Sequence, residues 1–118
     1  MKSVMIRKPG EIAVVDSPMP AEPEKNEVIV RIKAAGICGS DLHVYHGRSA
    51  FAAYPRIIGH ELAGEVYQAG SLVSDLKPGD KVAIDPVISC GNCYACRIGR
   101  HNVCSSVKVL GIHVDGGF

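Results

Sequence analysis

Residues 59 to 73 read Gly59-His60-Glu61-Leu62-Ala63-Gly64-Glu65-Val66-Tyr67-Gln68-Ala69-Gly70-Ser71-Leu72-Val73. Glu61 to Ala69 predicts a β-strand, and Gly64 within it marks a bulge or a close approach of another backbone. Upstream, Val28, Val30, Ile32 and Ala34 alternate with Ile29, Arg31, Lys33 and Ala35, the period of two expected of a half-buried strand. Downstream, Lys77-Pro78-Gly79-Asp80 reads as a turn and Lys81 to Ile84 as a third strand. Further out, Ile12 to Val15 is a short apolar run after Lys8-Pro9-Gly10, and Pro18, Pro20 and Pro23 predict an extended, unpaired connector. A brief helix is expected from Ser40 to about His46, with Ser40 or Asp41 as its N-cap. Gly111 to Phe118 reads as the start of a new strand. The expected fold class is mainly β, with short helices and many turns.

The chain has 118 residues, with 13 Lys and Arg against 12 Asp and Glu, so its formal charge is +1. One domain fits that length. Near-neutrality argues against a dedicated nucleic-acid binder, which needs a basic excess or patch. The longest stretch without a charged residue, Pro86 to Cys96, falls far short of a membrane-spanning helix. The opening MKSVMIRKPG has three cations and no apolar core of the kind a secretory signal carries. A soluble, cytoplasmic protein with no nucleic-acid or membrane partner is the expectation.

Five cysteines are present, four of them as Cys90-x2-Cys93-x2-Cys96-x7-Cys104. Cysteines three apart on a tight turn direct two sulfurs at one ion, and Gly91 permits such a turn. Four thiolates close a tetrahedral structural zinc site with no open position. An iron–sulfur run of the C-x2-C-x2-C-x3-C-P kind fails here twice, in the last gap and in Ser105 after it. Four unligated thiols are the other alternative. A second constellation, Cys38 with His60 and Glu61, offers thiolate, imidazole and carboxylate. Three protein ligands and one open position are what a catalytic zinc requires.

At these residues the chain resembles the N-terminal, GroES-like part of the zinc-dependent medium-chain dehydrogenases, a partly open β-barrel with a cysteine-rich structural zinc lobe. Gly59-His60-Glu61-x2-Gly64-x5-Gly70-x2-Val73 matches that family's zinc signature. The cysteine lobe, Pro78-Gly79-Asp80-x-Val82 and Asp115-Gly116-Gly117-Phe118 match in order and spacing. Tyr54-Pro55-Arg56-x2-Gly59-His60-Glu61 and Val109-Leu110-Gly111-x-His113-x-Asp115-Gly116-Gly117-Phe118 are similar to its polyol, threonine and sugar-acid branch, galactonate-type and starvation-sensing members in particular.

The resemblance implies one structural zinc on Cys90, Cys93, Cys96 and Cys104, in a lobe spanning 86–106. It implies one catalytic zinc on Cys38 and His60, with Glu61 as a ligand or as a neighbouring carboxylate that swaps in. It further implies oxidation of a secondary alcohol (a polyol, sugar acid or hydroxy amino acid) to a ketone, by zinc-assisted alkoxide formation and hydride transfer to NAD or NADP. Ser40 would take the hydroxyl proton and His43 would pass it toward solvent. On their own, Ser40 also suits a helix cap and His43 an exposed helical position. Tyr45, Phe51 and Tyr54 suit either the substrate cleft or packing, while His46, His101 and His113 have no partner at ligand spacing.

No Gly-x-Gly-x-x-Gly occurs in the chain. Residues 1–118 are therefore expected to be an incomplete GroES-like domain, without its nucleotide-binding domain or returning strands. Alone, such a chain is expected to bind zinc, to be monomeric and to be inactive, its parent being a homodimer or homotetramer. Two other functions fit the same residues: a non-catalytic zinc-binding interaction module, or a redox domain acting through its thiols.

Overall fold

A computed structural model describes all 118 residues. Three small antiparallel sheets carry the chain. In the first, β1 (Lys2–Lys8) lies between β2 (Glu11–Asp16) and β4 (Arg56–Ile57). β1 and β2 form a hairpin with Ile6 opposite Ile12, and Gly10 at φ 78° makes its turn. In the second, β5 (Glu61–Ala69) lies between β3 (Val28–Gly36) and β6 (Lys81–Ala83). In the third, β7 (Val87–Ile88) pairs with β8 (Lys108–Val109). Two short helices, α1 (Gly39–Tyr45) and α2 (Tyr94–Arg97), and a 3-10 turn at His101–Val103 complete the chain. The proline-punctuated stretch between β2 and β3 carries no strand or helix.

The central strand β5 shows why the signature stretch folds as it does. Leu62, Gly64 and Val66 are buried on one face while Glu61, Glu65 and Tyr67 are exposed on the other. Gly64 stands opposite Ile32, beside a slip in the β3–β5 register. A Cβ at Gly64 would sit 2.3 Å from the Arg31 carbonyl oxygen, so close backbone approach requires glycine here.

Two expectations are corrected. The N-cap of α1 is Cys38, not Ser40 or Asp41. Its backbone is extended, and Asp41, three residues on, reaches back to accept from the Cys38 N–H at 2.9 Å. Gly111 to Phe118 forms no strand; it turns at Gly111, makes a single bridge between Leu110 and Val114, and runs on along Ile57–Gly59. Gly111 and Gly116 bring this segment closer to the Ile58–Gly59 backbone than a side chain would allow, and its amides meet Ile57–Gly59 out of regular strand order.

The core is small. Ile6 of β1, Val44 of α1 and Ile58 just after β4 are buried together, with Val4, Tyr54 and Phe118 packed around them. Between the first and second sheets runs an apolar groove of about 720 Å³, lined by residues such as Ile29, Ile32, Ile57, Tyr67 and Phe118. No helix is long and apolar enough to cross a membrane.

Candidate metal centres

The lobe is built by local chain reversals. The β7–β8 pairing brings 88 and 108 together, so the intervening residues form a closed excursion. Gly91, at φ 75°, turns the chain between Cys90 and Cys93. Cys93 caps α2, Cys96 lies within it, and Cys104 ends the 3-10 turn. The four sulfurs all lie within 4.8 Å of one another, with Cys93 and Cys96 at 3.5 Å.

Backbone amides prepare two of these sulfurs for negative charge. The N–H groups of Cys90 and Ser106 donate to Cys104 Sγ, both at 3.3 Å, and hold its thiol below the usual range. Amides of Cys96 and Ser105 bring the Cys93 thiol down to about 5, while burial, with Cys93 beside it, pushes Cys96 up to about 11. Tetrahedral sulfurs on one zinc at the ordinary bond length lie about 3.8 Å apart. The observed spacing fits one such ion, and the amide-stabilised thiolates fit its charge.

The second cluster is set by the register of the central sheet. Gly36, the last residue of β3, pairs with Glu61, the first of β5. Cys38 therefore leaves one strand where His60 and Glu61 enter its neighbour. One atom from each of these three side chains lies within 4.8 Å of the other two. A Cβ at Gly36 would sit 2.5 Å from Glu61 Oε2, so glycine leaves room for the carboxylate. His60 is buried, Cys38 half-buried and Glu61 exposed, which leaves one side of the cluster open.

His60 Nε2 lies 3.1 Å from Ser40 Oγ. Its Nδ1 is buried, has no hydrogen-bond partner and stands 3.5 Å from Asp41 Oδ1. A histidine that binds a metal through one ring nitrogen turns the other to a carboxylate. The buried Nδ1 facing Asp41 suits that orienting role, which leaves Nε2 to join the Cys38 thiol and the Glu61 carboxylate as donors. Zinc, which takes all three donor types, fits these residues.

Asp41 is the residue that sequence reasoning undervalued. It is buried, and its Oδ2 accepts from the Cys38 N–H while its Oδ1 accepts from the Gly59 N–H at 3.3 Å and faces His60. One carboxylate thus ties together the backbones that carry Cys38 and His60. Its position three residues after Cys38, at the start of a helix, was the available signal.

His43 is exposed one helical turn beyond Ser40, and no hydrogen bond joins the two. The hydroxyls of Tyr45 and Tyr54 are engaged with the carbonyls of Gly10 and Val44. Phe51 stacks on His113, whose Nδ1 accepts from the Val109 N–H. His101 lies against Ser89 and His46 against the Tyr45 ring, and neither joins a metal-ligating group.

Comparison with known proteins agrees with this architecture. The family described as Alcohol dehydrogenase GroES-like domain matches residues 24–118, and the chain belongs to that family. It is 52% identical over 118 residues to Starvation-sensing protein RspB of Escherichia coli (strain K12), covering all of this chain and 34% of that protein. It is 41% identical over 118 residues to L-galactonate-5-dehydrogenase of the same organism, again covering all of this chain and 34% of the relative. Among solved structures it superposes with a TM-score of 0.90, at 48% identity, on an alcohol dehydrogenase (rspB) from E. coli CFT073 complexed with the cofactor NADH. That match covers all of this chain and 34% of the solved one. The chain therefore spans about one third of the length of these relatives.

Proposed function

We propose that residues 1–118 form the N-terminal, GroES-like part of a zinc-dependent, NAD(P)-linked dehydrogenase that oxidises a secondary alcohol on a polyol, sugar acid or hydroxy amino acid. The observation that carries this reading is the convergence of Cys38, His60 and Glu61 on an open-sided point, separate from a closed four-cysteine lobe at 86–106. Two clusters of such different character suit two roles, one structural and one open to substrate. Family membership and the named dehydrogenase among its relatives support the same class of reaction.

Cys90, Cys93, Cys96 and Cys104 would hold the structural zinc, and Cys38 and His60 the catalytic one, with Glu61 completing or exchanging into the set. When bound there, zinc supplies Lewis-acid polarisation of the substrate hydroxyl. The protein's own residues do the rest. Asp41 orients His60 and fixes the Cys38 backbone. Ser40, whose hydroxyl already reaches the His60 ring at 3.1 Å, takes the hydroxyl proton. His43, exposed on the same helix, exchanges that proton with solvent. Nicotinamide binding belongs to the remainder of the protein, as do the oligomer contacts of a homodimer or homotetramer, and we place the enzyme in the cytoplasm.

The test is nicotinamide reduction by the full-length protein with NAD or NADP and a panel of polyols, sugar acids and hydroxy amino acids. Activity on one class is expected, with two zinc ions per chain, and Cys38→Ser should lose the activity together with one zinc. Undiminished turnover in Cys38→Ser would sink the proposal.

A further inference from the structure

Gly111 to Phe118 contributes no group to either cluster, yet it grips the backbone from which His60 projects. The amides of Gly116, Gly117 and Phe118 donate to the carbonyls of Ile57 (2.8 Å), Gly59 (3.1 Å) and Ile58 (3.1 Å). The Val4 N–H in turn donates to the Phe118 carbonyl at 3.0 Å, fastening the segment to β1. Asp115 Oδ1 anchors it further, accepting from Arg56 Nη1 at 2.9 Å and from the Ile57 N–H at 3.2 Å.

The packing is as close as backbone allows. A Cβ at Gly116 would lie 2.2 Å from the Gly59 carbonyl oxygen and 2.6 Å from that of Ile58; one at Gly111 would lie 2.8 Å from the Gly59 nitrogen. Gly59 itself, at φ 98°, has the Phe118 ring where its own Cβ would stand. On its other side the Gly59 N–H is held by Asp41. Gly59 is thus clamped between α1 and the 111–118 segment, and His60 is the next residue.

We propose that Gly111–Phe118 is a positioning segment for the Cys38–His60–Glu61 centre, which through the backbone of Ile57–Gly59 sets where His60 presents its ring. The inference rests on the reading of that cluster as a metal centre. It makes affinity at this centre depend on a segment about fifty residues away that donates no ligand. Partners that orient a metal-binding histidine are typically worth 10–100-fold in metal affinity, and the same range is expected here.

Cobalt(II), bound in place of zinc to the full-length protein, reads both sites through its thiolate charge-transfer and ligand-field bands. Wild type should bind two cobalt ions per chain. Gly116→Ala, whose methyl meets backbone carbonyls that cannot swing aside, should keep the lobe cobalt with unchanged bands and bind the second about 10–100-fold more weakly. Gly117→Ala meets first the movable Leu62 Cδ1, at 2.4 Å, and should keep both ions. Asp115→Ala inserts nothing but frees the anchor, and should weaken the second site alone; it serves as the decisive variant where Gly116→Ala does not fold. Unchanged second-site affinity in Asp115→Ala, equal weakening of both sites, or equal effects of the two glycine variants would overturn the proposal. A wild type that binds cobalt at the lobe only would overturn the metal-centre reading beneath it instead.

Discussion

Cys93 and Cys96 stand 3.5 Å apart and are held at opposite ends of the thiol range. The Cys93 sulfur meets amide donors, which favour the anion; the Cys96 sulfur is buried beside it, which favours the proton. In the metal-free protein the pair shares one proton, so a Cys93 thiolate persists well below neutrality. Because the folded-state pKa, about 5, is depressed below that of the unfolded thiol, Cys93 contributes stability that is fully present above the unfolded value. That contribution falls away as pH drops toward 5 and is gone below it. Thiolate absorbance of metal-free protein should therefore show a step near pH 5 that Cys93→Ser removes, and denaturant unfolding should lose the matching pH dependence. Superimposable titrations of the two proteins would refute this ordering of the thiols. The ligand-type residues themselves were legible in the sequence, because Cys, His and Glu have few other reasons to cluster. Asp41 was not, since an aspartate at a helix start has an ordinary capping use, and only the fold shows it reaching Gly59 and His60 as well.

The long central strands were read correctly, β3 from its alternation and β5 as the run Glu61 to Ala69, and the turn before β6 follows from Pro78 and Gly79. Strands of two residues, such as β4, β7 and β8, are too short to express any period, and their pairing is decided by distant partners. The 111–118 segment reads as the start of a strand, but Gly111 and Gly116 serve close contact with the Ile58–Gly59 backbone instead. Glycines in this fold act by two separable means, and substitution distinguishes them. Gly10 has φ 78° and open space around its missing side chain, so Gly10→Ala should cost only the left-handed strain, about 1–2 kcal/mol. Gly64 lies in ordinary strand conformation with a carbonyl in the way, so Gly64→Ala must separate β3 from β5, at about 2–3 kcal/mol. Urea unfolding of the two variants checks the order; a Gly10 variant as damaging as the Gly64 variant would show that backbone approach at Gly64 is not limiting.

Only thirteen of the 118 residues are buried, because three small sheets surround rather than fill the space between them. The groove of about 720 Å³ between the first two sheets leaves Ile29 and Ile32 half-exposed although they lie on a strand with the alternation of a core element. An open apolar groove of that size binds aromatic probes in water. The 118-residue chain should enhance the fluorescence of an anilinonaphthalene dye, and Ile29→Lys should reduce the effect by placing a charge in the groove. Absence of any enhancement would mean that the two sheets close onto each other in solution. The groove could not be read from the sequence, since alternation shows which side chains turn inward but not what they meet there.

The pairing of β7 with β8 is continued by a hydrogen bond from the Leu110 N–H to the Pro86 carbonyl at 3.1 Å. The chain thus departs from the body and comes back to it at adjoining points. Everything from 87 to 109 is a graft whose two cut ends already face each other in register. Replacing it by a tight reverse turn would keep the juncture of Pro86 with Leu110 and give up the bonds from Val109 to Ile112 and His113, so over the course of descent this appendage can be shed, enlarged or traded with little change to the body that carries it.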